Sequence, residues 1–227
     1  MTGTKLKIEI ISRMALPSIL VLISGNGSNL QALIDNCNSG KIPGKIIHVI
    51  SSSSKAYGLE RASQAGIPTM THELKTYYRG IPKENKDARD EARAKFNKDL
   101  VNIIIGKLKP DVIVCAGWML ILSSDFLKPL HQAKIPIINL HPALPGQFEG
   151  TNAIERSWKA GQDGLVDKGG CMVHYVIEEV DKGTPLIVKE IDVKKESLEE
   201  WEARIHALEH EAIVEGTIEV LKQLNAK

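Results

Sequence analysis

The chain has 227 residues, 43% of them hydrophobic, enough length and apolar content for one packed domain and too much for wholesale disorder. Its 29 basic and 28 acidic residues leave a formal net charge of +1, which points to neither a nucleic-acid nor an anionic-membrane partner. No apolar run reaches the ~20 residues that span a bilayer, and three cysteines without close spacing make neither a disulfide framework nor a zinc cluster.

Residues 1–13 mix Lys5, Lys7, Glu9 and Arg13 with an alternating LKIEII stretch. No apolar signal core or small-residue cleavage site follows, so the expectation is a tail and a cytoplasmic, reducing location. The expected organisation is an N-terminal extension over 1–17 and a single domain over 18–227. Ser18–Ser24 is a continuous apolar run broken by Gly25-Asn26-Gly27, and a helical pattern follows with Leu30, Leu33 and Ile34 on one face. Lys45–Ile50 reads as a second strand and Gly58–Ala65 as a short helix ended by Gly66. Residues 73–98 are dense in charge and read largely as a surface insertion leading into a helix over about Asp87–Leu108, whose stripe is Leu100, Ile103, Ile104 and Leu108. Asp111–Cys115 and Ile135–Leu140 are further apolar strands. Gly170–Ile177 and Pro185–Val193 read as strands around a turn at Asp181-Lys182-Gly183, in a later, mixed part of the sheet. A last helix starts near Ser197, with Glu199 and Glu200 in its first turn and Leu198, Trp201, Ile205, Leu208 and Ala212 on its buried face. Apolar strands alternating with helices predict an α/β fold, an open, mostly parallel twisted sheet with helices on both faces.

Two places carry polar residues where a ligand would sit. Ser24-Gly25-Asn26-Gly27-Ser28-Asn29 joins the first strand to the first helix. Its glycines let backbone N–H groups approach a ligand, and Ser28 or Asn29 is expected to cap the helix, whose dipole favours an anion there. The loop is neither a Walker sequence nor a GxGxxG fingerprint, since Leu30 stands where the third glycine would be. A plain capped turn is the structural alternative. The second place is Asn139-Leu140-His141-Pro142 at the end of an apolar strand. Alternate residues of a strand share a side, so Asn139 and His141 project together, and Pro142 stops the strand. An amide and an imidazole there suit a developing oxyanion and proton exchange near neutral pH; packing under Pro142 is the alternative. An acid of the Glu178–Asp181 turn folded back toward His141 would orient the ring and favour its protonated form.

These segments, SGNGSNLQALID, NLHPALPG and VDKGTPL, stand in the order and spacing of the glycinamide ribonucleotide formyltransferase family, which the chain resembles from about Leu20 to Val220. The resemblance implies an open α/β formyltransferase fold and 10-formyltetrahydrofolate as co-substrate, with no metal, in de novo purine biosynthesis. It implies a phosphate-holding loop at Gly27, Ser28 and Asn29, a ribose contact at Glu209, and a catalytic trio of Asn139, His141 and Asp181. Folate contacts fall to Arg93, to the segment Met119, Leu120, Ile121 and Leu122, and to Asn139. The implied partners are 5-phosphoribosylglycinamide and the folate, with no nucleic acid and no membrane.

The chain departs from the family's pattern at three points. Leu120 stands where bacterial members often carry arginine, the proline of the loop after His141 is shifted to Pro145, and His206 replaces a frequent glutamine. Other readings exist. A methionyl-tRNA formyltransferase would need a C-terminal RNA-binding domain, and a folate hydrolase of this fold an N-terminal regulatory one. A non-catalytic nucleotide-binding module would have no use for all three polar catalytic positions. His206-Ala207-Leu208-Glu209-His210 spells the H-x-x-E-H of inverted zinc proteases, but only 17 residues follow for a downstream acidic ligand.

Overall fold

A computed structural model describes residues 16–226. The reading of residues 1–13 as a tail lies outside the described residues. Seven strands form one sheet in the order β3-β2-β1-β4-β5-β6-β7. They are β1 (Ser18–Ile23), β2 (Lys45–Ser51), β3 (Thr69–Thr71), β4 (Val112–Cys115), β5 (Ile137–His141), β6 (Lys168–Tyr175) and β7 (Pro185–Asp192). Strands β1 to β5 are parallel and β6 and β7 antiparallel, the mixed arrangement expected.

Alternation along β1 divides the core in two. Ile19, Val21 and Ile23 join one apolar cluster, where α1 (Ser28–Asn38) supplies Leu30 and Leu33 and α7 (Leu198–Asn225) supplies Ala212, Ile213 and Val220. Leu20 and Leu22 face the other cluster, with Phe96, Leu100 and Ile104 from the long helix and Phe126 and Leu130 from the helix before β5. Both faces of the sheet are covered, which is why its parallel strands read as unbroken apolar runs.

The helix expected over about Asp87–Leu108 is present as α4 (Lys86–Ile103) and its continuation to Leu108. The charged stretch before it is more than a surface insertion: it holds α3 (Leu74–Tyr77), and Phe96 of α4 is fully buried. The rings of His72 and Tyr77 pack on Phe96 at 4.3 and 5.5 Å between centroids. One aromatic per turn is a faint signal among so many charges. Helix α4 runs on as a π-turn over Ile104–Leu108 and stops at Lys109, whose φ is 47°. Helices α5 (Ser124–Gln132) and α6 (Ala153–Gln162) join α2 (Gly58–Gln64); α5 is masked in sequence by Pro129 inside it. Helix α7 begins with a capping box, Ser197 Oγ accepting from Glu200 N while Glu200 accepts from Ser197 N at 2.8 Å.

Candidate active site

The carboxyl ends of β1, β4 and β5 open onto a cavity of about 520 Å³. Ligands bind at this edge in open α/β sheets. Its walls bring together the loop after β1, the segment after β4, the end of β5, the turn after β6 and one face of α7.

At one end the chain leaves β1 at Ile23 and enters α1 at Ser28. Neither Ser28 nor Asn29 caps that helix. The N-cap is Gly27 with φ 78°, no side chain bonds the first turn, and Asn29 Oδ1 is buried without a partner. The N–H groups at the start of α1, which no helical carbonyl can satisfy, therefore remain for a ligand. Gly27 is required twice over, by its left-handed backbone and because a Cβ would lie 2.6 Å from the Cα of Gly58. Arg61 on α2 braces the loop from outside, donating to Asn26 O and Asn26 Oδ1 at 3.0 Å each. Ser24 Oγ accepts from Met119 N at 2.9 Å and ties the cradle to the next wall.

That wall is the segment Gly117–Leu122. Met119 and Ile121 are 78% and 63% exposed, while Leu120 and Leu122 pack on the core, making an apolar ledge. Arg93 does not line the cavity; its guanidinium donates to Ile121 O at 2.8 Å and holds the ledge from the side.

At the other end Asn139 and His141 sit on one side of β5, and His141 is 4% exposed. Asp181 Oδ2 lies 3.4 Å from His141 Nδ1 and accepts from Gly150 N at 2.9 Å. Asp181 has φ 58°, a left-handed backbone that aspartate visits more readily than most residues. The turn is fixed at Gly183, where a Cβ would fall 1.6 Å from Tyr175 O. A fourth residue, His174, is missed by sequence reasoning. It stands opposite Asn139 in the antiparallel pair, its Nε2 is 3.2 Å from Asn139 Nδ2 and 3.6 Å from Asp181 Oδ1, and its Nδ1 meets Tyr175 O. Since a carbonyl only accepts, Nδ1 carries the hydrogen and Nε2 is free to accept from Asn139. The only sequence signal is a histidine inside an apolar strand.

Burial pushes the pKa of His141 down, and the charge of Asp181 only partly reverses that, so the free ring is neutral rather than protonated as the sequence suggested. Burial would raise Asp181, but the hydrogen bond it accepts from Gly150 N–H and its contact with His141 hold the carboxyl below its ordinary value. The pair is a neutral imidazole beside a carboxylate, and His141 Nε2 is buried with no partner. Such a group can take a proton from an attacking nucleophile and return it as a donor.

On α7 the side chain of Glu209 is buried, and its Oε2 lies 2.7 Å from Nδ1 of the half-exposed His206. Both face the cavity. His210 has its Nε2 buried without a partner, and among the described residues no group of three His, Cys, Asp or Glu could hold a metal. After His141 the loop turns through left-handed conformations at Gly146, Phe148, Gly150 and Asn152, the course taken around the shifted Pro145.

A family model described as formyl transferase matches residues 18–217. The phosphoribosylglycinamide formyltransferase of Saccharomyces cerevisiae is 54% identical over 213 residues, 91% of this chain and 98% of that protein. That of Schizosaccharomyces pombe is 47% identical over 207 residues, covering 90% and 97%. Among solved structures, a phosphoribosylglycinamide formyltransferase from Coxiella burnetii superposes with a TM-score of 0.76 at 33% identity, covering 92% of this chain and 88% of that one.

Proposed function

The chain belongs to the formyl transferase family, and from that premise we propose that it moves the formyl group of 10-formyltetrahydrofolate onto the amine of 5-phosphoribosylglycinamide in purine biosynthesis. It is an enzyme of that family, acting on small molecules. One observation carries the reading: a backbone anion cradle, an apolar ledge and the buried Asn139–His141–Asp181 group share a single cavity.

The first-turn N–H groups at Ser28 and Asn29 suit the substrate's phosphate, and the Glu209 carboxylate suits ribose hydroxyls. The ledge of Met119, Leu120, Ile121 and Leu122 offers apolar surface to the pterin, with Arg93 acting on the folate through the ledge it fixes. In the reaction the amine nitrogen bonds to the formyl carbon, the bond from that carbon to N10 breaks, and the amine's proton ends on N10. Asp181 accepts Nδ1–H of His141, which leaves Nε2 basic and facing the reacting atoms. As negative charge develops on the formyl oxygen, Nε2 takes the proton and becomes a charged donor, and Asn139 donates a second hydrogen bond. His174 holds the Asn139 amide in place for this.

The catalytic domain spans 18–227, with 1–17 an extension, and the enzyme works in the cytoplasm without nucleic-acid or membrane partners. No helix among the described residues is long and apolar enough to cross a membrane. The test is to mix the protein with 10-formyltetrahydrofolate and 5-phosphoribosylglycinamide and follow the folate absorbance. Turnover that requires both is expected; no turnover with both saturating overturns the reading.

A further inference from the structure

The loop between β5 and α6 forms one wall of the cavity, with Gly150, Thr151 and Asn152 on its lining. Phe148, Gly150 and Asn152 all have left-handed backbones. Glycine takes that conformation freely, asparagine at small cost and phenylalanine only under constraint, so contacts from outside the loop have to fix it.

Arg156 supplies them. It stands one turn into α6, and helical side chains lean toward the helix N-terminus, which brings its guanidinium back onto the loop. Nη1 donates to Glu149 O at 2.8 Å and to Thr151 O at 3.4 Å, and the guanidinium carbon lies 5.7 Å from the centroid of the Phe148 ring. The carbonyl of Glu149 and the N–H of Gly150 belong to one planar trans peptide and point in opposite directions. Arg156 therefore holds one edge of that plane, while Asp181 Oδ2 accepts from the other at 2.9 Å. A charged donor on the oxygen also polarises the amide and strengthens its N–H as a donor. The same Oδ2 lies 3.4 Å from His141 Nδ1.

We propose that Arg156 is a positioning residue for formyl transfer, gripping the Glu149–Gly150 peptide so that its N–H holds the Asp181 carboxylate against His141. The inference rests on the reading that Asp181 and His141 act on the transferred group. The other tie between loop and turn, Lys182 to Glu149 at 3.8 Å, joins two exposed side chains and adds little. The charged or titratable groups facing His141 are Asp181 in the turn and His174 on β6. Burial lowers the pKa of His141 most; Asp181 raises it, His174 lowers it, and the loop backbone at Phe148 and Gln147 raises it. A loosened loop weakens two of the three influences that oppose burial, so the ring then titrates at lower pH.

The test measures Arg156→Ala and Arg156→Lys beside wild type in two ways. One is steady-state kinetics with 10-formyltetrahydrofolate and 5-phosphoribosylglycinamide; the other is proton NMR titration of the His141 ring without ligands. A catalytic group misplaced by ~1 Å can cost about 10²-fold, and this one is loosened rather than removed, so kcat of Arg156→Ala should fall about tenfold with both KM values within about twofold. Its His141 titration should move to lower pH. Arg156→Lys keeps a charged donor for the carbonyls and should lie between the two in both measurements. In an Asp181→Asn background Arg156→Ala should cost nothing further, because the grip acts through that carboxylate. An unchanged kcat or an unmoved titration in Arg156→Ala overturns the proposal, and so does the same loss again in the Asp181→Asn background. The titration needs no turnover, so the two readings fail separately. A titration that moves in a chain without transferase activity sinks only the formyl-transfer reading, and an active wild type with an unmoved titration in Arg156→Ala sinks only this one.

Discussion

The two ends of the cavity are built by different means. The cradle after β1 is one contiguous loop, made of backbone and steadied by Arg61 and Ser24, with no titratable group of its own. The opposite end is made of side chains from β5, β6 and the following turn, with a left-handed aspartate at its centre and three ionisable groups in contact. A backbone site holds charge without changing its own state. A side-chain site can move a proton, but only when separate segments are packed into register. Binding and chemistry should therefore respond to different substitutions.

The largest expected effect falls on the chemical end. Asp181→Asn keeps the shape and removes the charge that opposes the burial of His141, so the ring becomes still harder to protonate. Acid–base groups typically contribute about 10²–10⁴-fold, and kcat should fall by at least the lower figure with the KM for folate little changed. His141→Ala should be similarly slow, and the double variant little slower than either single, because the two act as a unit. Steady-state kinetics decides it: an Asp181→Asn enzyme within about threefold of wild type would make the carboxylate a bystander.

The cradle should show the converse. Ser28→Asp places a like charge where the anion binds and should raise the KM for the phosphorylated amine about tenfold or more, with kcat and folate affinity largely kept. The dephosphorylated riboside should be a poor acceptor for wild type and no poorer for the variant. A fall in kcat as large as that of Asp181→Asn would erase the distinction between the two ends.

The same contrast governs what the sequence made legible. The cradle is local, and its glycines and strand-to-helix break can be read within six residues, although the cap was misassigned: the N-cap position falls on Gly27, which has no side chain to bond the first turn. Asn139 and His141 are legible because a period of two and Pro142 put them together. Asp181 needed the resemblance, since 40 residues separate it from His141 and nothing in its turn announces which acid folds back. His174 was invisible: within an apolar strand a histidine reads as core until the β5–β6 register sets it opposite Asn139. Arg61 was missed for the same reason, its partner Asn26 lying 35 residues earlier. The apolar stripe from Leu100 onward made the second half of α4 legible, but a single Phe96 among charges gave too little periodicity to show that its first half also reaches the core.

The smallest effect concerns stability, and it separates the two ends by sign. His141 has a folded-state pKa below its unfolded value, so its contribution is complete above the unfolded value near 6.5 and is lost as pH falls through the folded one. His48 and His72 are lowered by burial in the same way, so wild-type Tm should drop between pH 7 and pH 5 through several groups at once. His141→Gln removes one of them and should make the drop shallower. Asp181→Asn should make it steeper, because the ionised carboxylate is what eases protonation of the buried ring, and Asp181 itself stays charged throughout this window. Asn29→Ala, in the cradle, should leave the slope as it was, since no proton is exchanged there. Thermal melts at the two pH values resolve these differences, a change of about 1 kcal/mol moving Tm by about 2–4 °C in a domain of this size. Identical slopes for wild type and His141→Gln would mean that the imidazole is not buried neutral, and the proton-accepting Nε2 at the centre of the mechanism would have lost its basis.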